Sequence, residues 1–203
     1  AGFTVPVSIN IEGVPGNDLG AFMDGPFITV HGNGQDGTGN TMNSGRIVIH
    51  GDARDLVGHS MRGGRILVRG DVGYRAGIHM KSYEEQFPVI LVGGCAGDFA
   101  GEYMAGGVIV ILNLAGGSRP PAGNLCATGM HGGTIYLRGE PDQSSLGREA
   151  RMLPLDGQDH ALLAELLGEF STEFPDAAID CRRDEFVKLV PLSHRPYGRL
   201  SAY

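Results

Sequence analysis

The stretch Gly39-Asn40-Thr41-Met42-Asn43-Ser44-Gly45-Arg46-Ile47-Val48-Ile49-His50-Gly51-Asp52 returns 19 residues later as Gly58-His59-Ser60-Met61-Arg62-Gly63-Gly64-Arg65-Ile66-Leu67-Val68-Arg69-Gly70-Asp71. Methionine fixes the register. The gaps between Met23, Met42, Met61, Met80, Met104 and Met130 are 19, 19, 19, 24 and 26 residues. Three residues before each stands Gly20, Gly39, Gly58, Gly77 or Gly101, with Ala127 as the departure. Ten before stand Gly13, Gly32, Gly51, Gly70 and Gly94; fourteen before, Ile9, Ile28, Ile47, Ile66 and Ile90.

Each unit is an alternating β-branched segment, a glycine turn, an Asx-rich corner and Gly-x-x-Met. Period-two alternation is a strand signal, and glycine opens corners to positive φ. A 19-residue unit cannot bury its own apolar column, so it must stack on its neighbours. The expected fold is all-β: a right-handed parallel β-helix, or solenoid, of about seven coils over residues 1–140, its hand following the crossover rule. Residues 141–203 are expected to form a C-terminal helical and extended cap, or to dock a partner. Within them Asp159–Phe170 reads as an amphipathic helix with Asp159 at its N-cap, and Glu185–Val190 as a strand. The longer gaps place insertions at Ser82–Phe87 and Ala115–Ala122. Coming from consecutive coils, the two are expected side by side.

Composition narrows the function classes. The 203 residues carry 16 Lys plus Arg against 23 Asp plus Glu, a net charge of −7 that argues against nucleic acid. Glycine is 34 of 203 without a collagen period, and 41% hydrophobic content argues against disorder. Cys95, Cys126 and Cys181 form no CxxC pair, which favours reduced thiols and a cytoplasmic location over a metal site or disulfides. No apolar run approaches the ~18 residues of a membrane span, and Ala1-Gly2-Phe3-Thr4 carries no basic region followed by an apolar one, so no signal peptide shows. A chain opening on Ala1 implies processing or truncation.

The candidate chemistry reads mainly as structure. His31 and His50 stack one repeat apart, but the next positions, Arg69 and Gly93, give no third metal donor. His131 occupies the corner position of Asp24, Asn43, Arg62, Lys81 and Ala105 and reads as a surface residue. Asn33, Asp52 and Asp71 form one acidic column; Asn17, Asp36, Asp55 and Asp98, interrupted by Tyr74, form another. β-helices acting on polysaccharides gather carboxylates on one face, yet strict repetition favours turn residues bonding their own backbone. No catalytic, cofactor-binding or metal-ligating residue is assigned.

The units Gly73-Tyr74-Arg75-Ala76-Gly77-Ile78-His79-Met80 and Gly97-Asp98-Phe99-Ala100-Gly101-Glu102-Tyr103-Met104-Ala105-Gly106-Gly107 resemble the GXGXG domain, the β-helical C-terminal domain of the glutamate synthase large subunit. Related domains occur in the C subunit of formylmethanofuran dehydrogenase and in N-methylglutamate synthase. Pro15–Gly20, Gly39–Asn43 and Gly129–Gly133 favour the glutamate synthase branch, and Ser193-His194-Arg195-Pro196-Tyr197 resembles the tail of its stand-alone version. The resemblance implies a non-catalytic scaffolding subunit for glutamate biosynthesis. It would hold a glutamine amidotransferase and an FMN- and iron–sulfur-containing synthase so that ammonia passes between their sites. FMN and the cluster would belong to the partner subunit, with none bound by this chain. Ala1 in place of that amidotransferase class's N-terminal cysteine fits such a subunit. Docking is expected through Tyr83–Phe87, Arg119–Ala122 and the tail after Leu189. An apolar end left without its partner commonly self-associates, so a homo-oligomer of the isolated chain is compatible with this reading, and the sequence does not set the oligomeric state.

Overall fold

In the computed structural model, which describes residues 7–116, 118–177, 179 and 186–193, every apolar alternating segment is a strand. β1 (Ser8–Glu12), β2 (Phe27–His31), β3 (Arg46–Ile49), β4 (Arg65–Val68), β5 (Val89–Val92), β6 (Ala105–Ile111) and β7 (Gly132–Arg138) lie parallel, in chain order, in one sheet. Their register sets Ile9, Ile28, Ile47, Ile66, Ile90, Ile109 and Ile135 side by side, the column that the repeat predicts. A second parallel ladder of single bridges joins Ala53, Val72, Ala96 and Ala122. The six methionines fill the core between them.

The glycine three residues before each Met holds a left-handed backbone and touches the isoleucine column. At Gly58, φ is +68°, and a Cβ would lie 2.5 Å from Ile90 Cδ1; Gly39, Gly77 and Gly101 repeat the contact with Ile66, Ile109 and Ile135. Ala127 keeps the conformation, with φ at 63°. It belongs to the last repeat, where β7 is followed not by another isoleucine strand but by antiparallel β9 (Phe186–Pro191). The departure falls where the clash ends.

Strands β3 to β7 are apolar on both faces. The outward Val48, Leu67, Leu91, Val110 and Tyr136 pack against Leu163, Leu166, Leu167 and Phe170 of α1 (Gly157–Glu173), one stripe at helical spacing. The helix therefore covers the sheet's flank, and the extended segment closes its end: β9 pairs with β7, and β8 (Ala150–Leu153) pairs with β9. The helix also begins earlier than the sequence suggests. Asp156 is the N-cap and Asp159 the third residue of a capping box, accepting from Asp156 N–H at 2.7 Å. Arg46 meets Glu169 and Glu173 at 3.3 and 2.7 Å, and Arg65 meets Glu169 and Glu165 at 3.2 and 3.4 Å. Buried Asp159 accepts from Tyr136 Oη at 2.7 Å and pairs with Lys188 of β9, so one carboxylate ties together sheet, helix and end strand.

The two insertions do not lie side by side. Ser82 abuts Gly106 at the start of β6, whereas Arg119 and Asn113 lie beyond its other end. The seven residues of β6 separate them by about 20 Å at ~3.3 Å per residue. Tail residues 194–203, Cys181 and residues 1–6 lie outside the described residues. No helix among the described residues is long and apolar enough to cross a membrane.

Candidate functional site

The acidic columns are consumed by the stack itself. Asn33 Oδ1 accepts from Asp52 N–H at 2.9 Å, Asp52 from Asp71 N–H at 2.8 Å and Asp71 from Cys95 N–H at 2.7 Å. In the second column Asp36 accepts from Asp55 N–H, Asp55 from Tyr74 N–H, and Asp98 from Asn124 N–H at 3.1, 2.9 and 2.7 Å. These side chains bond the backbone one repeat further on, where turn chemistry alone suggests their own. Asn124, which the sequence reading missed, ends the second column after the longer insertion. The same geometry explains the glycine column ten residues before Met: a Cβ at Gly70 or Gly94 would lie 2.0 Å from the Asp52 or Asp71 carboxylate.

The thiols of Cys95 and Cys126 are buried. Burial pushes Cys126 up to about 12. Cys95 is also raised, chiefly by burial, with Arg119 opposing and Asp71 adding to it. Its Sγ lies 3.3 Å from Asn113 Oδ1, beneath a loop latched by Arg119 Nη1 on Asp71 Oδ2 at 2.5 Å. Neither resembles an activated, low-pKa nucleophile. His31 and His50 stack at 4.9 Å, with Phe174 edge-on to His50 at 5.3 Å. His131 bonds Gly129 O through Nδ1 at 3.1 Å. Among the described residues, no three His, Cys, Asp or Glu side chains are grouped to hold a metal ion.

What the stack displays is a face. Phe22, Thr41, Ser60, His79 and Tyr103, each just before a Met, have φ of 56, 54, 54, 54 and 52°. Such strain in non-glycine residues persists only where the surroundings over-determine it. Here each N–H is held by the next repeat, as in Thr41 N–H to His59 O at 2.7 Å and Ser60 N–H to Ile78 O at 2.8 Å. The side chains point outward: Phe22 is 69% exposed, and His79 stacks on Tyr103 at 5.4 Å. Arg75 lies 4.7 Å over the Phe99 ring and bonds Glu102 at 2.9 Å.

Residues 2–174 match the GXGXG motif family. The chain is a GXGXG protein. It is 50% identical over 200 residues to "Uncharacterized protein MJ1350" of Methanocaldococcus jannaschii, a match that covers 96% of this chain and 77% of that one. The GXGXG repeats thus account for the core, the Asx ladders and the displayed face. Of the expected docking residues, Tyr83 and Phe87 are exposed, Arg119 is tied to Asp71, and Ala122 is buried in the second ladder.

Proposed function

We propose that this GXGXG chain is a non-catalytic scaffolding subunit of a glutamate synthase-type complex. Its repeats are read as a right-handed parallel β-helix of about seven coils spanning residues 1–140, with residues 141–203 as its closing unit. Two backbone ladders in register and the strong preference of parallel crossovers for one hand support that geometry. The observation that carries the functional reading is the use of the stacked side chains. The carboxylates that could do chemistry are bonded to the backbone of the next repeat, while a rigid, aromatic-bearing face is left open.

The partners on this reading are a cytoplasmic glutamine amidotransferase and a synthase that carries FMN and an iron–sulfur cluster. They dock on the Phe22-to-Tyr103 face and on the loop bearing Tyr83 and Phe87. Affinity purification of the chain from its own cells, with identification of the copurifying chains and assay of flavin, iron, molybdenum and tungsten, tests the proposal. An amidotransferase chain with flavin and iron is expected. Molybdenum or tungsten in the partners would overturn it in favour of a formylmethanofuran dehydrogenase-type complex.

A further inference from the structure

The strand β8 is the last in the sheet order, so one of its edges has no strand neighbour among the described residues. Beside it lies an open groove of about 680 Å³ with Leu125, Leu146 and Met152 among its apolar walls and Ser144, Arg148 and Arg151 among its polar ones. Both arginines are exposed. Arg46, Arg65, Arg69, Arg75, Arg119 and Lys188 each meet a carboxylate. Arg54, Arg62, Lys81, Arg148 and Arg151 meet none among the described residues, and of these Arg148 and Arg151 line one groove together. The carboxylates nearest in sequence are already engaged. Glu149 accepts from Gly129 N–H at 3.0 Å, and Asp142 accepts from Ser144 N–H at 2.9 Å. In a chain of net charge −7, this leaves two uncompensated guanidiniums sharing one groove beside an open strand edge.

We propose that this groove receives an acidic, extended segment of a partner protein, which lies along β8 and sets its carboxylates on Arg148 and Arg151. An open edge offers backbone hydrogen bonds to an added strand, and the side-chain pockets beside it choose the sequence. A guanidinium matches a carboxylate with two parallel bonds. Alternate residues of an added strand project to one side about 6.8 Å apart, which brings two acidic side chains within reach of arginines three positions apart. Arginine on an edge strand also serves to repel other chains. That role predicts no binding, and so it is separable by experiment. The proposal stands on this chain's surface and is independent of which enzymes accompany it.

The test uses the full chain and a fluorescein-labelled peptide of alternating Val and Glu, followed by anisotropy at low salt, with a Val/Ser peptide as control. The acidic peptide is expected to bind at least tenfold more tightly than the control and to slow hydrogen exchange at the Met152 amide. That β8 N–H faces away from β9 and is not already bonded among the described residues, as Ala150 N–H is to Gly147 O. The double substitution Arg148→Glu/Arg151→Glu should weaken it at least tenfold, and Arg148→Gln/Arg151→Gln should do so without reversing charge. Arg54→Glu, which lines a different groove, should leave binding unchanged. Equal binding of both peptides, or binding that survives both double substitutions, overturns the proposal. So does displacement by tripolyphosphate with no protection of β8, which would mark a small-anion site.

Discussion

Gly58→Ala tests the contact that links the glycine and isoleucine columns. At φ +68° an alanine carries the left-handed strain of about 1–2 kcal/mol. Its methyl would sit 2.5 Å from Ile90 Cδ1, about 1 Å inside normal carbon contact. Ile90 is fully buried, so the clash adds an overpacking cost of about 1–3 kcal/mol. The expected loss is about 2–5 kcal/mol. Ile90→Val alone costs about 0.5–1.5 kcal/mol, but it deletes the clashing Cδ1 and leaves Cγ1 at 3.4 Å. The double variant should therefore be about 1–3 kcal/mol more stable than the sum of the singles. Urea unfolding followed by circular dichroism measures all four proteins, with equal m-values as the condition for comparing midpoints. Additivity within about 0.5 kcal/mol would refute the stacking of Gly58 on Ile90.

Removing the ammonium with Lys188→Met leaves Asp159 buried without its cation and should cost about 3 kcal/mol, read as a fall in Tm. The pH dependence has a definite sign. Burial raises the Asp159 pKa, but Lys188, the Asp156 N–H and Tyr136 outweigh it and hold it low. Its contribution is thus present above the unfolded carboxylate value of about 3.9 and lost as pH falls through the depressed folded value. Lys188 is raised, first by its bond to Asp159; its share is present below about 10.4 and lost as pH rises through the higher folded value. Lys188→Met lets the folded Asp159 value rise toward the unfolded one, so the loss of stability on acidification should shrink, and an unchanged acid limb contradicts the pairing. Asp52→Asn keeps an acceptor for the Asp71 N–H and should be near neutral, while Asp52→Ala should cost about 1 kcal/mol, as chemical denaturation can report. Native Cys95 and Cys126 should resist iodoacetamide at pH 8 and label only in denaturant, as peptide mass mapping would record.

Much of this was legible because one chain carries several copies of its own answer. Ile47, Ile66 and Ile90 align by arithmetic, and they pair in the sheet. The position of α1 also left a signal that the sequence reading did not use. Val48, Leu67, Leu91, Val110 and Tyr136 make their strands apolar on the outward side too, whereas Asn10 and Thr29 do not, and a sheet apolar on both faces must be covered on both. The separation of the loops was legible as well. One insertion precedes the Val89–Val92 strand, and the other follows Ile111. The acceptors of the Asx ladders were not, because a side chain reaching its own turn and one reaching the next repeat have the same sequence. Pairing of Arg46 and Arg65 with Glu165, Glu169 and Glu173 depends on the crossing of helix and sheet, which no local pattern encodes. For the displayed face the repeat locates the columns, but only the backbone reveals that His79 and Tyr103 point outward on a left-handed corner.

The central claim, that this chain supplies architecture and not chemistry, is tested most directly by glutamine-dependent reductive amination of 2-oxoglutarate to glutamate, with a two-electron donor supplied in excess. The rate would be measured for the chain alone, for its copurifying partners alone and for the two recombined. The account predicts no turnover by the isolated chain, glutamine hydrolysis uncoupled from the reductive amination of 2-oxoglutarate in the partners, and coupling restored on recombination. Turnover by the isolated chain, or coupled synthesis that is indifferent to its addition, would contradict it.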